Sequence, residues 1–219
     1  IPASGSIVRI STSLHLAPTV KRVLKREQFD IVHLHEPFMI MLCSAVLSFS
    51  NSVNIGTFHA ADGKPGYGFG WPIGLIILKR RRRKLHGKIA VSQLAMNYAS
   101  KYVPGNYEII PNGVDIERFT PDVAPIEKYC DGKQNILFLG RLEHRKGLKY
   151  LLEAYQMVKQ EIPNSRLIVV GMGTRLRKGY DRWIEQNHLE DVIFAGFISE
   201  EDKPRYFKTA DIYCAPSTG

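Results

Sequence analysis

Cysteine is scarce in this sequence: three residues in 219, Cys43, Cys130 and Cys214, far apart and without a C-x-x-C pair. That leaves no disulfide framework to organise a fold, and a reducing, cytosolic compartment becomes the default. Long apolar runs are also missing. The longest candidates, Phe38 to Phe49 and Trp71 to Leu78, fall well short of the roughly 18 residues a membrane span needs and read as core helices. The opening Ile1-Pro2-Ala3-Ser4-Gly5-Ser6 has neither the charged start nor the apolar centre of a signal peptide, and no initiator Met, so the chain is expected to begin inside a larger protein. Acidic residues are in deficit, 21 against 30 Lys and Arg, for a net charge of +9. The imbalance favours an anionic partner, which could be a phosphorylated ligand, an acidic membrane surface or a nucleic acid. What remains is an ordinary soluble composition, 44% hydrophobic, able to bury one large core or two small ones.

The most informative stretch is Asn135-Ile136-Leu137-Phe138-Leu139-Gly140-Arg141-Leu142-Glu143-His144-Arg145-Lys146-Gly147. An apolar run reads as a buried strand, Gly140 ends it, a short loop carries Arg141 and Lys146, and Gly147 opens an amphipathic helix. Two cations beside free helix N–H groups make a site for an anion such as a diphosphate. Arg offers a planar fork and Lys a mobile point charge, so together they can orient the group and neutralise it. The bland alternative is a pair of solvated loop charges.

Along the rest of the chain, short strands alternate with helical patterns. Ile7 to Ile10 is a strand candidate, and Leu16 to Arg26 follows as a helix with Pro18 in its first turn. Leu16, Val20, Val23 and Leu24 occupy an arc of about 100°, and Lys21, Arg22, Lys25 and Arg26 a separate arc of about 140°. Such a helix can dock on anionic lipid or simply present solvated charges. Phe29 to Pro37 is a strand that turns polar at His33, His35 and Glu36; a metal pair there is conceivable but lacks a companion ligand spacing. A helix at 38–49 and a strand at 53–58 lead to His59. In a parallel sheet these strand ends share one edge, so His35, Glu36 and His59 are expected to line one cleft. Residues 60–70, rich in glycine, read as a loop over a site.

The run Lys79-Arg80-Arg81-Arg82-Arg83-Lys84 must encircle a helix rather than stripe it, and it lacks the aromatic interleaving of a base-stacking surface. Strand 87–91, Ser92 as N-cap, helix 93–101 and strand 107–110 then reach the turn Pro111-Asn112-Gly113. The chain divides into a domain at 1–114, a Pro- and charge-rich linker at 115–133 and a domain at 134–219. After the helix from Leu148 come strand 167–170 and Gly171-Met172-Gly173, a weak dinucleotide fingerprint because position 176 is Leu. Strand 191–195, Ser199-Glu200-Glu201-Asp202 capping a helix through Lys208, and strand 211–215 complete the pattern.

Taken in order, Ile110 to Asp115, Phe138 to Leu142 with Arg145-Lys146-Gly147, Val169 to Gly173, and Ala210 to Ser217 resemble the retaining glycosyltransferases of the GT-B superfamily, family 4. The first half, with Val32-His33-Leu34-His35-Glu36-Pro37, Thr57-Phe58-His59 and Ile89 to Ser92, is similar to the phosphatidylinositol mannosyltransferases. The resemblance implies an α/β protein of GT-B class: two Rossmann-like domains with parallel sheets facing a cleft, acceptor on the first and sugar nucleotide on the second. It implies a metal-independent, retaining hexosyl transfer with no cofactor beyond the donor substrate, GDP-mannose or a UDP-hexose. The acceptor would be lipid-linked or a polyol, at the cytoplasmic face of a membrane, with no nucleic acid partner.

Arg141 and Lys146 would hold the donor diphosphate, His59 would sit beside donor sugar and acceptor, and Asn112, Gly140, Gly171, Ile198 and Lys203 would belong to the nucleotide-sugar site. The helix with Lys21, Arg22, Lys25 and Arg26 matches the family's membrane-associating helix. Measured against that family, the chain starts after the first strands and their glycine-rich loop and ends before an acidic motif. The 219 residues alone are therefore expected to be inactive. The rival is a noncatalytic basic module for anionic lipid or nucleic acid.

Overall fold

The computed structural model describes residues 16–38, 42–61 and 79–217, with two short strands at 2–3 and 6–7. The glycine-rich loop from Asp62, the apolar segment at 71–78 and the strand expected at 8–10 lie outside the described residues. The chain divides into two compact units, Ile1–Gly113 and Val114–Gly219.

In unit 1, β1 (Pro2–Ala3) and β2 (Ser6–Ile7) form a small antiparallel ribbon. Then come α1 (Leu16–Glu27), β3 (Ile31–His35), α2 (Leu42–Phe49), β4 (Val53–Phe58), a helical turn at 79–82, β5 (Gly87–Ala90), α3 (Gln93–Ser100) and β6 (Glu108–Ile109). The four strands β3-β4-β5-β6 lie side by side in sequence order, all parallel. Parallel neighbours joined through helices must share direction, so every strand's C-terminal end comes to one edge. Leu34, Leu47, Phe58, Leu85, Tyr98, Ala99 and Val103 form one core cluster, which puts α2, α3 and the approach to β5 on the same face of the sheet. The Ser92 hydroxyl accepts the Ala95 N–H at 3.1 Å, the N-cap its position suggests.

Unit 2 contains β7 (Gln134–Leu139), α4 (Leu148–Glu161), β8 (Ser165–Val170), α5 (Arg177–Gln186), β9 (Val192–Gly196), α6 (Lys203–Thr209) and β10 (Ile212–Tyr213). The sheet order is β10-β7-β8-β9, again parallel throughout. Strand β8 is buried at every position, as a central parallel strand covered on both faces must be. Its residues alternate accordingly. Leu167 and Val169 join Phe138, Leu148, Leu152 and Tyr155 on one side, while Ile168 and Val170 join Leu137, Tyr129 and Tyr206 on the other. Tyr129 belongs to a 3-10 turn at Glu127–Tyr129, inside the stretch read as a linker. That turn is anchored to unit 2: the Ile126 N–H donates to the Thr209 hydroxyl at 2.7 Å.

Candidate active site

At the C-terminal edge of unit 1, β3 and β4 run in register, with His35 opposite Thr57. His35 Nδ1 and His59 Nε2 lie 2.7 Å apart, so one ring donates and the other accepts. The His33 ring lies tilted against His35 with centroids at 4.8 Å, and its Nε2 is 2.7 Å from Thr57 Oγ1. Glu36 adopts a positive φ of 52° and turns its carboxylate back under the next strand. There it accepts the N–H groups of His59 and Ala60 at 2.6 and 2.8 Å. Glu36 is therefore the peg that fixes where His59 leaves the sheet. Among the described residues no group of three or more His, Cys, Asp or Glu side chains is arranged to hold a metal ion.

In unit 2 the ends of β7 and β8 are drawn together by glycine. Gly140 N–H donates to Val170 O, and Gly171 N–H to Gly196 O. Gly171 has φ +155, and a Cβ there would lie 1.9 Å from Gly140 O, so no side chain fits between the two strand ends. The bend after Gly140 is a 3-10 turn, His144–Lys146, rather than an open loop. Gly147 has φ 72, and a Cβ there would lie 1.9 Å from Pro216 O, so both the backbone conformation and the close approach call for glycine. No side chain caps α4, so its first N–H groups are available to an anion.

Arg141 is exposed, and its Nη1 pairs with Glu143 Oε1 at 3.1 Å; Arg145 Nε bonds the other Glu143 oxygen at 3.1 Å. The Glu143 side chain is only 9% exposed, a buried carboxylate that holds two guanidinium groups. The Lys146 stem runs alongside Gly140, and its ammonium has no carboxylate partner among the described residues. Arg141, Lys146, Gly140, Gly171 and the α4 N-terminus thus share the C-terminal edge of one sheet. Glu143 was not read from the sequence as a site residue; the alternation Arg141, Glu143, Arg145 was its signal.

Ile198, half-buried, packs on the core face that holds Ile168 and Val170. The helix that residues 199–202 are expected to cap runs from Lys203 to Thr209 with Asp202 at its N-cap, and the Ser199 hydroxyl accepts the Asp202 N–H at 3.0 Å in the turn ahead of it. Lys203 pairs with Glu200, which Arg118 also approaches at 3.5 Å. Lys203 holds the Glu200 carboxyl below its ordinary range. Asn112 is exposed at the end of unit 1, outside any element. Lys21, Arg22, Lys25 and Arg26 are all exposed on α1, while Val20 is buried.

Residues 5–118 match the family profile Glycosyltransferase Family 4, and residues 125–218 match Glycosyl transferases group 1. Over its whole length the chain is 34% identical to a phosphatidyl-myo-inositol mannosyltransferase of Mycobacterium tuberculosis, covering 56% of that protein. A protein of the same description from Propionibacterium freudenreichii is 30% identical over 99% of the chain and is 53% covered. The chain therefore spans about half the length of the curated relatives it matches. Among solved structures it resembles sucrose-phosphate synthase from Thermosynechococcus elongatus, with a TM-score of 0.67 at 18% identity over 99% of this chain and 59% of that one. That likeness is one of fold, the GT-B arrangement of two Rossmann-like sets.

Proposed function

The chain belongs to glycosyltransferase family 4, and from that membership we propose that it is part of a retaining, metal-independent hexosyltransferase that moves mannose from GDP-mannose to a lipid-linked or polyol acceptor. The observation that carries this reading is the cationic bend of unit 2. Arg141, aimed by buried Glu143, stands with Lys146 beside an uncapped helix N-terminus. As the glycosidic bond breaks, its electron pair passes to the departing diphosphate. A guanidinium fork, an ammonium and free N–H groups already in place stabilise that charge without reorganising. The acceptor oxygen forms the new bond to the anomeric carbon, and its proton leaves with the diphosphate. His59, steadied by His35 and Glu36, contributes a nitrogen for contact with sugar or acceptor hydroxyls.

The similarity to mannosyltransferases supports mannose as the sugar. For the base, the pair Glu200 and Lys203 sets a carboxylate acceptor beside an ammonium donor, the complement of guanine's N–H groups and O6. The exposed basic face of α1 fits an anionic membrane at the cytoplasmic side, where a lipid acceptor would be met.

Calorimetric titration of this chain with GDP and UDP tests the reading. GDP is expected to bind more tightly than UDP, and Arg141→Ala to weaken GDP about tenfold or more, about 1.4 kcal/mol. An Arg141→Ala variant that binds GDP like the parent removes the donor site proposed here. Absence of any nucleotide response, with salt-sensitive binding to polyanions, would instead support the noncatalytic module.

A further inference from the structure

The loop from β8 to α5, Gly171 to Leu176, meets the cationic bend at two points. At the first, the Gly171 backbone passes so close to Gly140 O that no Cβ fits between them. At the second, the half-buried Thr174 donates its hydroxyl proton to Leu142 O at 2.5 Å. Gly140 and Leu142 are the two chain neighbours of Arg141. The loop therefore holds the Arg141 backbone from both sides, while Glu143 holds its guanidinium at 3.1 Å.

The second contact is made by a side chain where the bend's own backbone makes none. The carbonyls of Arg141, Glu143 and His144 accept the N–H groups of Glu143, Lys146 and Gly147 within the bend. The Leu142 carbonyl meets instead a hydroxyl from 32 residues further along the chain. That hydroxyl also accepts the Leu176 N–H at 3.2 Å, and the Thr174 carbonyl accepts the Arg177 N–H at 3.0 Å. Thr174 is thus fastened to the first turn of α5. A hydroxyl suits the place because it donates in one direction and accepts in another, and a methyl group can do neither. Both ends of the connection are anchored in one core: Leu142, 1% exposed, packs there with Leu176, Tyr180 and Trp183. Arg177 lies over the Phe194 ring at 3.6 Å and pairs with Asp181 at 2.7 Å, which fixes the start of α5 further.

We propose that Thr174 is a positioning residue of the donor site, a strut that carries the rigidity of α5 to the cationic bend and sets the backbone from which Arg141 reaches a diphosphate. The inference rests on the reading of Arg141 as a diphosphate ligand. Glu143 and Thr174 act on different parts of the same residue. The carboxylate directs the end of the side chain, and the hydroxyl fixes its origin. A guanidinium fork matches phosphate oxygens only when both are held, within about half an ångström. Without the strut, Arg141 gives up more freedom when the ligand arrives, and affinity falls accordingly.

Calorimetric titration of the 219-residue chain with GDP, together with amide hydrogen exchange in the absence of ligand, tests the strut. Thr174→Val keeps the shape and removes the hydroxyl. It is expected to weaken GDP about three- to tenfold and to speed exchange at Glu143, Lys146 and Gly147. Thr174→Ser, which restores the hydroxyl, should behave as the parent. In an Arg141→Ala background the valine should cost no further affinity, because the strut acts through that side chain. Tyr155→Phe is the control for general loosening of unit 2: its hydroxyl donates to Ser165 O at 3.1 Å, at the opposite end of β8, and its loss should leave GDP affinity and exchange at the bend unchanged. A Thr174→Val chain that binds GDP like the parent, a Thr174→Ser chain as weak as Thr174→Val, additive losses with Arg141→Ala, or an equal loss in Tyr155→Phe would each overturn the proposal. A parent without any GDP response would count against the donor site, and exchange would then decide the strut alone, parental rates in Thr174→Val overturning it.

Discussion

Glu143 illustrates how one buried carboxylate governs a cationic turn. Left unpaired, it would be costly to bury, and its two oxygens are taken by Arg141 and Arg145. The exposed Arg141 side chain is thereby held in one direction before any ligand arrives, which lowers the entropy lost on binding. Glu143→Gln keeps the shape and removes the charge. We expect GDP to bind the variant about three- to tenfold more weakly, about 1 kcal/mol, read by calorimetric titration. Tighter binding would mean instead that Glu143 competes with the diphosphate for Arg141. The cations of this bend were legible in the sequence because a Gly-flanked turn after an apolar run is a local pattern. Which carboxylate aims them was not, since a Glu between two arginines reads equally well as a solvated charge.

Among the elements, the paired ends of β7 and β8 are the most exacting. Gly171→Ala would place a methyl against Gly140 O in a backbone conformation that L-residues rarely adopt. A loss of about 2–4 kcal/mol is expected in urea unfolding. Gly173→Ala, two residues on, meets nothing within 4 Å and serves as the control, with a change near zero. Comparable losses in the two variants would show that the close approach is not what demands glycine. Strands β3, β7 and β8 were readable as largely apolar runs, and α1 and α4 from their helical spacing. Helix α5 escaped notice: Tyr180, Trp183 and Ile184 are spaced for one face, but the segment is otherwise polar and has no side-chain cap. It forms because that face closes on the core with Leu189 and Phe194, which is a tertiary cause.

At the scale of the molecule, each unit has its own core and the charge lies almost wholly in one of them. Unit 2 is closed at the far end of its sheet by Asp191, which Lys133 and Lys159 meet at 2.5 and 2.6 Å. These two ammonium groups hold the Asp191 carboxyl below its ordinary value of 3.8. Because the folded value is depressed, this stabilisation is present above the ordinary value and is lost as pH falls through it toward the folded one. Asp191→Asn should therefore lower Tm at neutral pH and leave a flatter acid limb in melts followed by circular dichroism; parallel acid limbs in parent and variant would argue against the linkage. The alternation of strands and helices, the glycine strand ends, the cationic bend and the basic tract were determined by the sequence itself, because each depends on neighbours a few residues apart. Only the tertiary structure decided that His35 meets His59 across 24 residues, that Lys84 grips the end of α2, and that Asp191 closes on Lys133 and Lys159. Such partners are chosen by parallel strand packing, which brings together groups that no local period connects.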